Sequence, residues 1–159
     1  MWLIPAFAAA ILIGLDQAAK YLALINLKPI GSMVFIKGIL DFTFVENRGV
    51  AFGMFSGQRW FILLLTGLIT VALLYYYKKL PKTKEYQLVR MVMILIFSGA
   101  IGNMIDRVFR GYVVDFFEFS FINFPVFNVA DIYVVVGVCI LAFLILFVMK
   151  EPKEKKKDE

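Results

Sequence analysis

The chain has 159 residues, of which 62% are hydrophobic, 16% aromatic and only 18% charged, and its mean hydropathy is +0.83. A water-soluble domain of this size needs a mostly polar surface, which 17 basic and 12 acidic residues cannot supply. A chain this apolar would not stay solvated as a disordered coil either, so the composition leaves an integral membrane protein of one domain. One cysteine and no histidine exclude an intramolecular disulfide framework and most zinc chemistry, and no cofactor is expected.

Four apolar stretches approach the roughly 20 residues that a helix needs to cross about 30 Å of hydrocarbon. The first, residues 2–27, is interrupted by Asp16, Gln17 and Lys20. It lacks a basic leader and a small-residue cleavage site, so it is expected to persist as a span. In the following segment, residues 34–36, 39–45 and 51–55 are β-prone and five glycines punctuate them, which predicts a small sheet at the outer membrane surface. The second span, 60–77, ends in Tyr75, Tyr76 and Tyr77 followed by two lysines, as an interface selects. The third span is 88–105. Residues 106–125 then alternate aromatic and polar side chains, which predicts an interfacial or re-entrant segment. The fourth span, 126–149, contains Cys139, assigned to packing, and leads into a charged tail, 150–159, predicted to be disordered.

The net charge of +5 is not a nucleic-acid signal here. Ten of the seventeen basic residues lie in two segments, Lys78 to Arg90 and Lys150 to Lys157, after the second and fourth spans. By the positive-inside rule both are cytoplasmic, both termini are cytoplasmic, and residues 28–59 and 106–125 lie outside. The expected fold is an all-α membrane protein with four transmembrane helices, a β-rich extracytoplasmic segment between the first two and an interfacial segment between the last two. The helices form one domain, 1–149, followed by the tail.

Ionisable groups in a span cost roughly 2.5–3.5 kcal/mol each on insertion, so each needs a reason. Asp16 and Lys20 stand four apart on the first helix, as an ion pair does; a contact with a lipid headgroup or substrate is the alternative. Asp106 and Arg107 read equally as a helix-end pair or as a functional one. Asn103 precedes Asp106 by three residues and Asn128 precedes Asp131 by three, a spacing that lets each amide donate to its own carboxylate. Asp115 lies in Val113-Val114-Asp115-Phe116-Phe117, with no cation beside it. If the outer segment folds back, Asp115 meets Asp131 at the membrane boundary. Two carboxylates in contact share a proton, which equips them to activate water against a peptide bond. The same pair serves equally as an ion or proton site.

Four blocks resemble one family: Asp16-Gln17-x-x-Lys20; Asn47-Arg48-Gly49-Val50-Ala51-Phe52; Gly102-Asn103-Met104-Ile105-Asp106-Arg107 leading to Gly111-Tyr112-Val113-Val114-Asp115-Phe116; and Phe124-Pro125-Val126-Phe127-Asn128-Val129-Ala130-Asp131. In order, spacing and hydropathy the chain resembles the bacterial lipoprotein signal peptidase (signal peptidase II) family, up to about Met149. The resemblance implies an intramembrane aspartyl endopeptidase of the bacterial cytoplasmic membrane. That family removes the signal peptide of a prolipoprotein just before a cysteine carrying a diacylglyceryl group, and is inhibited by the cyclic lipopeptide globomycin. It implies catalytic roles for Asp115 and Asp131, and site-supporting or substrate-binding roles for Asp16, Lys20, Asn47, Gly49, Asn103, Asp106, Arg107 and Asn128. Phe52 and Met54, near the glycine-rich turns, are expected to cover the cleft. Ile132 stands where many relatives have serine and Val50 where alanine is usual, departures that touch packing rather than a carboxylate. A carboxylate-using transporter or channel and a non-enzymatic lipoprotein chaperone are the rival readings. The first is disfavoured because the polar motifs gather at one membrane face; the second would not need both aspartates.

Overall fold

Backbone hydrogen bonding decides the architecture, because hydrocarbon offers no partner to an open N–H or C=O. The computed structural model describes residues 3–50 and 53–148, and in it the apolar stretches are four helices of spanning length: Leu3–Leu27, Arg59–Lys79, Lys84–Phe109 and Val129–Val148. Helix α1 is regular over Leu3–Leu22 and widens into a π turn, Ala23–Leu27. Helix α2 covers Arg59–Lys79 and stops at Leu80, which is extended (ψ 134°) because it precedes Pro81. A 3₁₀ turn, Lys84–Tyr86, leads into α3, Gln87–Phe109, and α4 runs Val129–Phe143 before a final π turn, Leu144–Val148. The third helix therefore carries Asp106 and Arg107 inside its last turns, not beyond its end.

The sheet has three antiparallel strands in the order β1 (Ser32–Ile36), β2 (Leu40–Asn47), β3 (Val113–Phe119). The third strand is the correction. It comes from the second outer segment, expected to be interfacial or re-entrant, and not from residues 51–55. Gly53 to Phe55 form a turn, while Ala51 and Phe52 lie outside the described residues. Strand β3 pairs with β2 from Leu40↔Phe119 to Asn47↔Val113, and Phe117 bridges back to Phe127. Gly38 (φ 74°) closes the β1–β2 hairpin, and Gly111 (φ 83°) turns the chain from α3 into β3, conformations that glycine adopts without steric cost. The sheet lies on the end of α1, where Ala23, Leu27, Val114 and Phe116 form a buried cluster flanked by Phe42, Phe44 and Tyr112.

Sheet and helix ends gather at one end of the bundle; the Lys78–Arg90 connection is at the other. Tyr77, Val89, Met93 and Leu144 form a second cluster there. Elsewhere the helices present Leu3, Phe7, Trp60, Leu64, Leu68, Val71, Val135 and Leu146 outward, more apolar surface than water tolerates. Cys139 is exposed on that face, so lipid contact rather than packing accounts for it.

Close approach of α3 to α4 depends on small residues, as expected where lipid removes the hydrophobic drive. A Cβ on Gly99 would collide with the Ala130 carbonyl and lie 2.8 Å from Val134 Cγ2, and one on Gly137 would lie 2.5 Å from Ile96 Cγ1. Gly67 on α2 has nothing within 4 Å. Gly99→Ala is therefore expected to destabilise by about 1–3 kcal/mol through overpacking, and Gly67→Ala to be neutral or stabilising by up to about 1 kcal/mol. Thermal unfolding of the two variants in one detergent checks the contrast.

Candidate active site

The site begins with a lysine that water does not reach. Lys20 is fully buried, and its ammonium lies 3.0 Å from Asp16 Oδ2, 3.1 Å from Asp106 Oδ2 and 2.8 Å from Asn103 Oδ1. Its three protons thus meet three oxygens, one from its own helix and two from α3. The expected Asp16–Lys20 pair is present, and neither side chain has exposed surface. Each carboxylate is then used again. Asp16 Oδ1 accepts from the Ala130 N–H in the first turn of α4 (2.9 Å), and Asp106 Oδ2 accepts from the Val114 N–H of β3 (3.2 Å).

Asp106 and Arg107 do not pair with each other. Neighbours in a helix point about 100° apart. Asp106 faces Lys20 and Arg110, while Arg107 Nη2 donates to the Gly49 carbonyl at 2.6 Å and Nη1 to the Asn103 carbonyl at 3.4 Å. Arg107 thereby ties the loop after β2 to α3. Gln17 and Arg110 complete this corner, and Arg110 is not among the residues that the family motifs point to. Gln17 Nε2 donates to the Gly102 carbonyl, and Arg110 Nη1 reaches both Asp106 and Gln17 Oε1. The signal for Arg110 was its place four residues after Asp106.

In neither Asn-x-x-Asp pair does the side-chain amide donate to its own carboxylate. Asn128 is the N-cap of α4: its Oδ1 accepts from Asp131 N–H (3.0 Å), and Asp131 Oδ2 accepts from Asn128 N–H (3.0 Å), a capping box. This occupies the Asn128 oxygen and frees its amide N–H groups for Asp115 Oδ1 (2.6 Å) and Asn103 Oδ1 (3.1 Å). Asn103 Nδ2 donates to Asp131 Oδ1 at 2.7 Å, not to Asp106. From β2, Asn47 Nδ2 donates to Asp115 Oδ2 at 2.8 Å, its own oxygen accepting from Gly49 N–H at 2.9 Å. All expected site residues therefore belong to one connected network, and Asn128 joins Asp115 on β3 to Asp131 on α4.

Asp115 is 1% exposed. Burial, reinforced by the negative charge of Asp131, pushes its carboxyl up to about 7, against the lowering effect of the Asn47 and Asn128 amides. A cleft of about 310 Å³ opens on it, lined by Val45 to Val50, Gly53, Ser56, Pro125 and Val126. Met54 is exposed and its carbonyl holds the Val50 N–H, while Phe52 lies outside the described residues. Ile132, also exposed, points away from the buried network. Among the described residues, the buried polar side chains deeper in the bundle include two hydroxyls bonded within their own helices: Thr70 to the Thr66 carbonyl, Ser98 to that of Ile94. They form no polar path across the bilayer. Among those residues no cluster of three metal-ligating side chains occurs.

Two measurements follow. Lys20→Met leaves buried Asp16 without a cation and Asp106 with Arg110 alone, so a loss of about 3–5 kcal/mol is expected, whereas Lys28→Met, which breaks an exposed pair with Glu46, leaves thermal stability within error. The folded state holds the Asp115 proton up to about pH 7, while an unfolded chain releases it near 3.8. It therefore binds more protons than the unfolded chain in that window. Its stabilising contribution is complete below about pH 4 and lost as pH rises through about 7. Asp115→Asn is expected to flatten this decline when unfolding is followed across pH 4–8.

Comparison with known proteins agrees along nearly the whole chain. The sequence model of the Signal peptidase (SPase) II family matches residues 8–147. A lipoprotein signal peptidase of Caldanaerobacter subterraneus is 48% identical over 87% of this chain and 92% of its own, and one of Clostridioides difficile is 44% identical over 86% and 90%. Two solved structures, both described as bacterial membrane enzymes, superpose with TM-scores of 0.79 and 0.77 at 34% and 33% identity. They cover 98% and 92% of this chain, and 93% and 94% of their own. With its four spans, its carboxylate network and these relatives, the chain belongs to the signal peptidase II family, the aspartic peptidases of the bacterial membrane.

Proposed function

We propose that the protein removes signal peptides from prolipoproteins, cutting on the N-terminal side of a cysteine that already carries a diacylglyceryl group, with Asp115 and Asp131 as the catalytic pair. The observation that carries this reading is the Asn128 bridge, which holds one carboxyl of a strand and one of a helix in a single buried network beside an open cleft. A peptidase without serine-type or metal chemistry needs two carboxyls of unlike protonation, and the repulsion between two buried carboxylates supplies that difference.

In the proposed reaction the pair enters with one proton. The ionised member takes a proton from water as its oxygen attacks the scissile carbonyl, and the protonated member donates to the developing oxyanion. Collapse of the tetrahedral intermediate breaks the C–N bond, and the leaving amine takes its proton from the pair. Asn47, Asn103 and Asn128 orient the carboxyls. Asp16, Lys20 and Asp106 hold the helices that carry them, and Arg107 with Gly49 holds the loop edge of the cleft, where Arg48 and Val50 face substrate.

Lipid anchoring explains where the reaction takes place. A diacylglyceryl cysteine is fixed at the bilayer surface by its acyl chains, so its peptide bond is presented at one depth. The site lies at the end of the bundle away from the basic α2–α3 connection, which supports a catalytic centre near the outer face of the cytoplasmic membrane and cytoplasmic termini. On this reading residues 1–149 form the peptidase domain, 150–159 a cytoplasmic tail, and globomycin inhibits by filling the same cleft.

The test uses purified full-length protein in detergent and a diacylglyceryl-modified prolipoprotein, with cleavage followed as a mass shift. Asp115→Asn and Asp131→Asn are each expected to unfold as cooperatively as wild type and to lose at least about 10²–10⁴-fold in rate. Wild-type rates in both would reject the assignment. Because one proton must be retained and one released, kcat/KM is expected to be bell-shaped in pH, its alkaline limb close to the value of about 7 that burial gives Asp115. A flat profile would reject proton sharing.

A further inference from the structure

Three amides surround the proposed catalytic pair, and in each the direction of the amide is dictated by a partner that can only donate. Asn103 Oδ1 accepts from the Lys20 ammonium, which has no lone pair to offer in return (2.8 Å). Asn128 Oδ1 accepts from the Asp131 backbone N–H and Asn47 Oδ1 from that of Gly49 (3.0 and 2.9 Å). Turned over, Asn103 would set its carbonyl against the Asp131 carboxylate and its N–H₂ against an ammonium and the Asn128 amide. Every contact would then join like with like. The observed direction is the one that satisfies all the groups.

The consequence falls on the carboxyl oxygens. Asp115 Oδ1 and Oδ2 accept from Asn128 and Asn47, and Asp131 Oδ1 and Oδ2 accept from Asn103 and from the Asn128 backbone. All four oxygens therefore have one lone pair taken by an N–H that cannot accept a proton in return. A proton shared by the pair has no acceptor among the three amides. It must occupy a remaining lone pair, and for Asp115 the space available is the cleft.

We propose that Lys20 and Asn103 act together as a positioning pair for the catalytic carboxyls: the buried ammonium fixes the direction of the Asn103 amide, and that amide, with the other two, confines the shared proton to the cleft where water and substrate meet it. This rests on the assignment of Asp115 and Asp131 as the catalytic pair. Lys20 makes no hydrogen bond to either of those carboxyls; beside its charge, which favours ionised Asp115 at a distance, it reaches them through Asn103. The charged groups that act on Asp131 are Asp16 and Lys20 from α1, Arg107 from α3 and Asp115 from β3, with Asp106 paired to Lys20 behind them and Glu46 and Arg48 at the mouth of the cleft.

Removing Lys20 endangers the fold, so the test turns the amide chemically instead. In the full-length enzyme, Asn103→Asp keeps an oxygen for Lys20 but offers Asp131 a second carboxylate in place of an N–H. Asn103→Ala deletes the group altogether. If direction is what matters, Asp is the worse substitution: kcat falls about 100-fold with KM within about twofold, and the alkaline limb of kcat/KM moves up by about a unit, because a third carboxylate retains the proton. Ala, which removes more structure, lowers kcat less and leaves the limb in place. Lys20→Gln, whose carbonyl lets Asn103 turn, is expected to show the same drop in kcat at unchanged KM wherever its thermal unfolding remains cooperative. The proposal is overturned if Asn103→Asp cleaves as well as or better than Asn103→Ala, or if its alkaline limb stays at the wild-type pH. Full activity of Asp131→Asn would instead remove the catalytic pair itself, an outcome read from a different variant.

Discussion

A lysine ammonium without water must be compensated, and most of the geometry at the sheet end of this molecule answers that requirement. Stranding one charge in a low-dielectric interior costs several kcal/mol even after relaxation. Lys20 avoids it only by drawing Asp106 and Asn103 of α3 onto α1 beside its own Asp16. The compensating carboxylates then have lone pairs to satisfy, and they find them in the first turn of α4 and in β3, at the N–H groups of Ala130 and Val114. Four elements are held by one charge cluster. In a bilayer this matters more than in water, since lipid is as apolar as leucine and lends no hydrophobic drive to helix association. The glycine contacts between α3 and α4 bring the backbones close, and the cluster sets their register.

A sheet beside a bilayer is a less obvious solution than a fifth helix, and it has a mechanical reason. A helix residue at the membrane surface is carried by one axis, whereas Asp115 sits on a strand hydrogen-bonded to β2 and bridged through Phe117 to Phe127. Two carboxyls from elements that meet at an angle can approach without their backbones colliding. The bulge between Phe42 and Val45 lets β2 end with Asn47 against Val113, aiming its amide at Asp115. The strands that cover the site and the strand that carries its carboxyl are the same sheet.

The spans were legible because hydropathy over about 20 residues is a strong signal, and observed ends differ from expected ones by only a few positions. The site residues were legible as out-of-place polar groups, and as motifs shared with a known family. Their partners were not. Asn103 with Asp106 and Asn128 with Asp131 satisfy a local spacing rule, yet the capping box occupies the Asn128 oxygen and turns its amide toward Asp115, thirteen residues back. Asp106 and Arg107 are adjacent in sequence and face different neighbours for the same helical reason. Strand β3 was hidden by its composition: Val-Val-Asp-Phe-Phe-Glu-Phe has strand formers throughout but no clean apolar–polar alternation, because its first four residues are all buried. Such a run reads as interface until its partner strand, some seventy residues away, is known.

Charge counting gives a reason for the proposed shared proton that does not depend on any single titration. Four carboxyls meet in this network, Asp16, Asp106, Asp115 and Asp131, and three cations face them, Lys20, Arg107 and Arg110. Fully ionised, the cluster would carry one uncompensated negative charge at the edge of the hydrocarbon. One proton on the proposed pair makes it neutral. Of the four, Asp16 and Asp106 are bound directly to cations, and protonating either would break an ion pair. Asp115 and Asp131 accept only from amides and backbone N–H groups, which tolerate a neutral carboxyl at lower cost. The proton is thus directed to the pair beside the cleft by the same balance that lets four acidic residues remain in the membrane.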